Sequence, residues 1–256
     1  MVIVYLSKSE IRILGLLLGG GCLVGMLVYQ YQSVLVQGRL RQLTVVIDPG
    51  HGGVDGGAQD CQGNMEKDLN LLIGLTVANQ LRQSGLNVVM TRRTDTDLAP
   101  FRSGQKGRHR RDLNRRIEIA RQNRCHFFVS IHCDASEVPQ KQGAFVFYNW
   151  RSPRSKGLAD AIQHELNQIQ ARPGKSAPGK YLVIRQDGIT GVIVEVGYLS
   201  NPEERRLLQN SRYQADLSLA IARGILRYIK HQPVPGAQNR VIQSLWRDLS
   251  TLWLKY

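Results

Sequence analysis

Four residues far apart in the chain share an unusual setting. His51 follows the apolar run "TVVI" and the breaker "DPG", and His132 follows "FFVSI". Glu195 stands between valines in "GVIVEVGYLS", and Glu66 opens a segment with helical periodicity. Singly, each has an ordinary reading. A histidine in a strand-end loop is usually structural, and a Glu at a helix start complements the helix dipole. Two imidazoles and one carboxylate, with water in a fourth position, make a catalytic zinc set, and His51, Glu66 and His132 could supply it. Glu195 is harder to dismiss, because a carboxylate in an otherwise buried strand is costly unless something pairs with it. A metal nearby would give it a reason to be there.

The loop around His51, "TVVIDPGHGGVDGGAQD" (44–60), leaves three readings open: a phosphate cradle, an elaborate turn, or a metal ligand at the mouth of a sheet. Its glycines permit conformations and close approaches that other residues forbid. The phosphate reading is the weakest. Asp55 stands where the third glycine of a dinucleotide fingerprint belongs, and no Gly-Lys-Ser/Thr ending follows. Nucleotide binding is set aside.

Around these residues, strand and helix patterns alternate. A strand is expected at 44–47, a helix over 66–84 stopped by Gly85, and a strand at 86–92. A helix near 113–123 and a strand at 126–136 follow, then a strand at 143–150 and a helix over 155–170. Strands at 180–185 and 191–200 and a helix over 213–231 complete the core. This alternation predicts an α/β single domain spanning 43–232, with a mostly parallel twisted sheet and helices on both faces. Open α/β sheets gather function at the carboxyl ends of their strands, which is where both histidines fall.

Residues 1–42 read as a signal anchor and tether. The uninterrupted apolar stretch 13–29 is near the lower limit for spanning a bilayer, and no small-x-small cleavage site follows it. An uncleaved membrane anchor helix is therefore expected, with the rest of the chain outside the cytoplasm and "QYQSVLVQGRLRQ" as a polar tether. Residues 233–256 read as a linker and a short amphipathic helix carrying Trp246 and Trp253. Cys22, Cys61, Cys125 and Cys133 do not form a disulfide pattern, and no close Cys-x-x-Cys pair suggests a structural zinc finger.

The formal net charge of +14 favours anionic partners in general. The basic run 102–116 reads as a solvated loop or a contact for substrate carboxylates, to which Arg is well suited. Nucleic acid would call for interleaved aromatics, and only Phe101 lies nearby, so no nucleic-acid role is expected. His109, His126, His164 and His231 lack supporting partners and are read as structural.

"VVIDPGHGGVDGGA", the Glu opening "EKDLNLLIGLTVANQL", "VMTR", "VSIHCDAS" and "VIVEVGYLSNPEE" together resemble the ordered signatures of the zinc-dependent N-acetylmuramoyl-L-alanine amidases. The resemblance covers roughly 43–231. Its general layout, with the loop "MTRRTDTDLAPFRSGQKGRHRRDLNRRIEIA", is more narrowly similar to the germination-specific spore-cortex members. It implies one Zn2+ held by His51, Glu66 and His132, with Glu195 as catalytic carboxylate. The substrate would be peptidoglycan, cut between the lactyl group of N-acetylmuramic acid and L-alanine, with formation of muramic lactam in the cortex. Arg92, Arg115 and Asp134 are candidate substrate-binding residues, Asp134 replacing the usual Asn of "SIHxNA". The glycines around His51 would then leave clearance for the polymer. A silent peptidoglycan-binding scaffold and a zinc peptidase cutting within the stem peptide are the competing functions. A regulatory protein or a homodimer stays open as partner.

Overall fold

The computed structural model describes residues 7–99, 107–138 and 140–232. The expected C-terminal amphipathic helix and much of the basic run before Gly107 lie outside the described residues. So do the side chains of several residues in the first helix, among them 10–19.

Six strands form one sheet in the order β2-β1-β3-β6-β4-β5. They are β1 (Thr44–Pro49), β2 (Asn87–Met90), β3 (Phe127–Asp134), β4 (Phe145–Asn149), β5 (Ala177–Gly179) and β6 (Thr190–Tyr198). β2, β1, β3 and β6 run parallel, but β4 pairs antiparallel with β6, and β5 runs parallel to β4. The sheet is therefore mixed rather than mostly parallel. Two short strands on one edge reverse its direction.

The helices divide unevenly between the faces. α2 (Glu66–Gln83), α4 (Pro153–Leu166) and α6 (Ser211–His231) cover one face, packing Ile73, Val77, Leu158, Ile162, Ile221 and Ile225 onto the strands in the larger core cluster. The other face carries α3 (Arg108–Gln122) and a single 3₁₀ turn, Leu182–Ile184, around Val46, Phe128 and Ile193. Alternate residues of each strand serve the two cores, as a pleated strand requires. α2 can lie close to the end of β1 because Gly74 faces Pro49, where an added Cβ would sit 2.8 Å from the ring.

Several local expectations are corrected. Residues 180–185 do not form a strand: β5 is upstream, and Val183 and Ile184 are buried in the 3₁₀ turn against Gly191. A short apolar run does not by itself distinguish a strand from a buried helical turn. α3 starts at Arg108, because Gly107 at φ 82 supplies the left-handed turn before it. The short α5 (Pro202–Leu208) was not anticipated, although Asn201 caps it through Glu203 N and Glu204 N, and Pro202 occupies its first turn.

The N-terminal segment is one helix, α1 (Lys8–Gln42), which continues through the expected tether. Leu40 at its end is buried in the main core, which ties the helix to the domain. Among the described residues no helix is long and apolar enough to cross a membrane.

Candidate metal centre

His51, Glu66 and His132 converge at the carboxyl ends of β1 and β3. Their ligand atoms all lie within 4.8 Å of one another. Glu66 projects from the first residue of α2 and is almost wholly buried. Its Oε1 lies 3.0 Å from His132 Nδ1 and its Oε2 3.2 Å from His51 Nε2. The imidazoles meet edge to face, with centroids 5.0 Å apart. Tetrahedral zinc, with bonds of about 2.1 Å, needs donor atoms roughly 3.4 Å apart. The two Glu66–imidazole spacings are close to that, and the three donors together could hold such an ion.

The carboxylate is fixed before any metal arrives. Ala58 N donates to Oε2 at 2.9 Å, while Cys133 N and Asn70 Nδ2 each donate to Oε1 at 3.1 Å. Burial alone would raise the Glu66 carboxyl. The two histidines outweigh it and hold the group far below the usual carboxylate range. Burial likewise opposes charge on His51, but its contacts with Glu66 and Asp55 hold the imidazole above the ordinary histidine range.

Asp55 was not singled out from the sequence. Its Oδ1 lies 3.0 Å from His51 Nδ1 and its Oδ2 3.2 Å from Arg108. A carboxylate on the second nitrogen fixes the ring's orientation and tautomer, leaving Nε2 for a metal. The readable signal was the four-residue spacing of His51 and Asp55 within one loop.

His51 itself sits at φ 59, an uncommon conformation for a non-glycine residue. Two buried arginines hold the backbone there. Arg116 donates to Asp48 Oδ1, to Pro49 O at 2.9 Å and to His51 O at 2.8 Å, while its Nε pairs with Asp112 Oδ2 at 2.7 Å. Arg92 donates to Pro49 O at 3.0 Å, Gly50 O at 2.9 Å and Lys67 O at 2.7 Å. Asp48 is buried, and Thr91 Oγ1 and Ser130 Oγ complete its shell at 2.6 and 2.7 Å. Burial would raise its carboxyl, but Arg116, Thr91 and Ser130 outweigh that and keep it below the usual range.

These contacts revise three expectations. Arg92 spends its donors on backbone carbonyls, so it positions the loop instead of meeting substrate. Arg115 pairs with Glu118 on the solvent side of α3, and its neighbour Arg116 is the one turned inward. The loop glycines make room for the ligands themselves. A Cβ on Gly50 would collide with the His132 ring, and one on Gly57 would lie 2.5 Å from Glu66 Oε2 and 2.7 Å from His51 Cδ2. Asp134 lies beside the centre, with its Oδ1 accepting from Ala135 N.

Glu195 is the direct register neighbour of His132 across β3 and β6. It is buried, and its Oε2 has no hydrogen-bond partner among the described residues. Burial pushes its carboxyl up, His132 pulls it down, and Glu66 and Asp134 push it up again, leaving it at about 7. A buried carboxyl near neutrality beside three groups that could hold a metal ion has the chemistry of a candidate proton-transfer group. Cys125 and Cys133 are buried free thiols, and Cys61 is an exposed one.

A family model described as N-acetylmuramoyl-L-alanine amidase matches residues 45–227, spanning the sheet and all four site residues. The chain belongs to the N-acetylmuramoyl-L-alanine amidase family. It is 34% identical over 244 residues to the germination-specific N-acetylmuramoyl-L-alanine amidase of Bacillus subtilis, covering 89% of this chain and 99% of that one. The CwlD amidase of Clostridioides difficile, solved in complex with the GerS lipoprotein, superposes with a TM-score of 0.71 at 32% identity. That match covers 74% of this chain and all of the other. The amidase AmiC2 of Nostoc punctiforme superposes with a TM-score of 0.62 at 34% identity, over 74% and 98% of the two chains. Members of this amidase family are hydrolases of amide bonds, and the cluster at the sheet's carboxyl end is where such chemistry would act.

Two outcomes follow from this geometry. Arg116→Lys keeps the charge on Asp48 but loses the planar fork that grips Pro49 and His51. It should fold yet bind zinc about 10- to 100-fold more weakly, as changes behind a ligand do. Competition against a chelator reads this, and unchanged affinity in the folded variant would contradict it. Glu195 binds a proton more readily folded than unfolded, since its folded pKa of about 7 exceeds the ordinary 4.5. Metal-free protein should therefore lose stability as pH rises from about 5 to 8, by on the order of 3 kcal/mol from this group. His51, also raised, loses stability over the same range in both proteins, so denaturant melts in chelator should show the wild-type loss exceeding that of Glu195→Gln by about this amount. An equal slope in both would refute the assignment.

Proposed function

We propose that the chain is a zinc-dependent N-acetylmuramoyl-L-alanine amidase acting on peptidoglycan. The carrying observation is the convergence of His51, Glu66 and His132 beside Glu195, whose buried Oε2 has no hydrogen-bond partner among the described residues. One Zn2+ held by those three ligands would supply a Lewis acid for the scissile carbonyl and lower the pKa of water toward 7. Glu195 takes the proton from the attacking water as its oxygen adds to the amide carbon. It then returns that proton to the L-alanine nitrogen as the carbon–nitrogen bond breaks. Asp55 keeps the His51 ring turned toward the centre throughout.

The same reading places the enzyme in spore-cortex maturation, supported by the germination-specific function of the Bacillus subtilis relative. A lipoprotein-class partner is part of it, on the precedent of the Clostridioides difficile complex. Glu195→Gln should retain about one zinc per chain and lose about 10²- to 10⁴-fold in turnover. Mass spectrometry of a wild-type digest should show intact stem peptides and free muramoyl lactyl carboxyls. Shortened stems would mark a peptidase instead, and full activity in Glu195→Gln would remove the mechanism. In a spore-forming host, loss of the gene should abolish muramic lactam, and normal lactam would exclude the cortex assignment.

The reading includes an uncleaved N-terminal anchor, with the catalytic domain outside the cytoplasm. Consecutive apolar residues of α1, from Leu23 and Val24 to Met26, Leu27 and Val28, are each at least 50% exposed, so the helix is apolar on all sides there and no core covers it. The chain should remain with the membrane through alkaline carbonate extraction. Release into the supernatant would overturn the anchor.

A further inference from the structure

Among the described residues, the face of the sheet that carries Glu195 is half covered. α3 lies over β1 and β3, while the 3₁₀ turn is the one described helical element against the part formed by β6, β4 and β5. Along that part runs a line of aromatic rings. Phe145 is the direct cross-strand partner of Glu195, and Phe147 occupies the same side of β4 two residues on, opposite Ile193. Their centroids are 4.9 Å apart, and Phe147 lies 5.2 Å from Tyr181, which follows β5. Both phenylalanines are partly exposed and Tyr181 is 43% exposed.

The tyrosine's seat is built. Gly179 leaves the space the ring occupies, since a Cβ there would stand 2.7 Å from Tyr181 Cδ2 and 3.3 Å from Phe147 Cβ. Tyr181 also belongs to the electrostatic surroundings of the site. Burial is the main cause that raises its phenol, and the Glu195 and Asp134 carboxylates add to it. At the near end Lys141 stands over Tyr198, 4.7 Å from the ring centroid, and supplies a positive charge beside the same surface.

Partly exposed aromatic rings that lead away from a hydrolytic carboxylate have a specific chemical complement. One face of a pyranose presents axial C–H groups and is apolar, whereas its edges carry hydroxyl and acetamido groups that stay in water. An aromatic ring with a polar tip suits such an amphipathic partner. The ring-to-ring steps of 4.9 and 5.2 Å are about the length of one sugar residue, so the line extends past the sugar whose peptide is released to its neighbour.

We propose that Phe145, Phe147 and Tyr181 form a glycan subsite, in which Tyr181 stacks on the sugar next to the muramoyl residue undergoing cleavage. The proposal rests on the amidase reading above. It makes Tyr181 a substrate-binding residue that discriminates a glycan chain from an isolated muramoyl peptide, and Gly179 the residue that keeps its ring in place.

The test uses the full chain and two readouts. In the first, chitotetraose is titrated as a probe and followed by NMR. Tyr181→Ala and Gly179→Val should weaken its binding about tenfold, the range expected for one lost ring contact, while Tyr181→Phe should stay within about twofold. Thermal melts identify any variant that has merely lost its fold, and Tyr181→Phe keeps the comparison interpretable. In the second readout, zinc-loaded protein is given a tetrasaccharide bearing a stem peptide and a single-sugar muramoyl peptide. Tyr181→Ala should raise KM about tenfold on the long substrate only, with kcat within about twofold on both. Unchanged KM on the long substrate, or an equal rise on both, overturns the subsite, as does chitotetraose binding indifferent to Tyr181→Ala. If the wild type releases no stem peptide from either substrate, the amidase reading fails, and the chitotetraose arm still decides the subsite.

Discussion

Arg116 reaches from α3 to the end of β1 and joins two things that would otherwise be separately unstable. One is Asp48, a carboxylate buried in the second core, and the other is His51, a ligand held in left-handed backbone geometry. A buried ion pair seldom adds much net stability, because desolvating both charges offsets their attraction. Its value here is positional. The guanidinium uses its remaining donors on the carbonyls of Pro49 and His51, and Asp112, four residues earlier on α3, fixes its stem. Arg92 grips the same loop through the carbonyls of Pro49 and Gly50.

The ligand set then follows from the sheet. Parallel pairing of β1, β3 and β6 brings His51, His132 and Glu195 to one end, and α2 starts where Glu66 can lie between the imidazoles. Every Glu66 oxygen is held by a backbone N–H, so the ligand needs little reorganisation to receive a cation. Glu195 Oε2 has no hydrogen-bond partner among the described residues, and burial raises its carboxyl. Three held groups and one unsatisfied acid suit the proposed division of labour between holding a metal and moving a proton.

Much of this was legible in the sequence, because strand patterns and the oddity of charged residues at strand ends survive without coordinates. That His51, Glu66, His132 and Glu195 stand out was readable that way, and the structure brings them together; α2 begins and ends where its periodicity and Gly85 place it. What stayed hidden depends on distant pairing. Helical spacing puts Arg116 on the stripe of Leu113, Ile117 and Ala120, but only distant pairing shows that it meets Asp48 while Arg115 meets Glu118 on the outside of the helix. The role of the glycines was misread for the same reason. Gly50 and Gly57 face the His132 and Glu66 side chains, and neither is near in sequence terms to the atom it must avoid. The antiparallel turn of β4 and β5 also escaped notice, since short edge strands carry no signal of direction.

The most direct measurement is a crystal structure of the zinc-loaded full chain, with anomalous data collected on both sides of the zinc edge. The account predicts one anomalous peak bonded to His51 Nε2, His132 Nδ1 and a Glu66 oxygen, with His51 still in the left-handed region and Arg116 still on its carbonyl. Glu195 should lie beside the ion without ligating it. A peak elsewhere, Glu195 as a ligand, or a His51 loop that rearranges to reach the metal would contradict it.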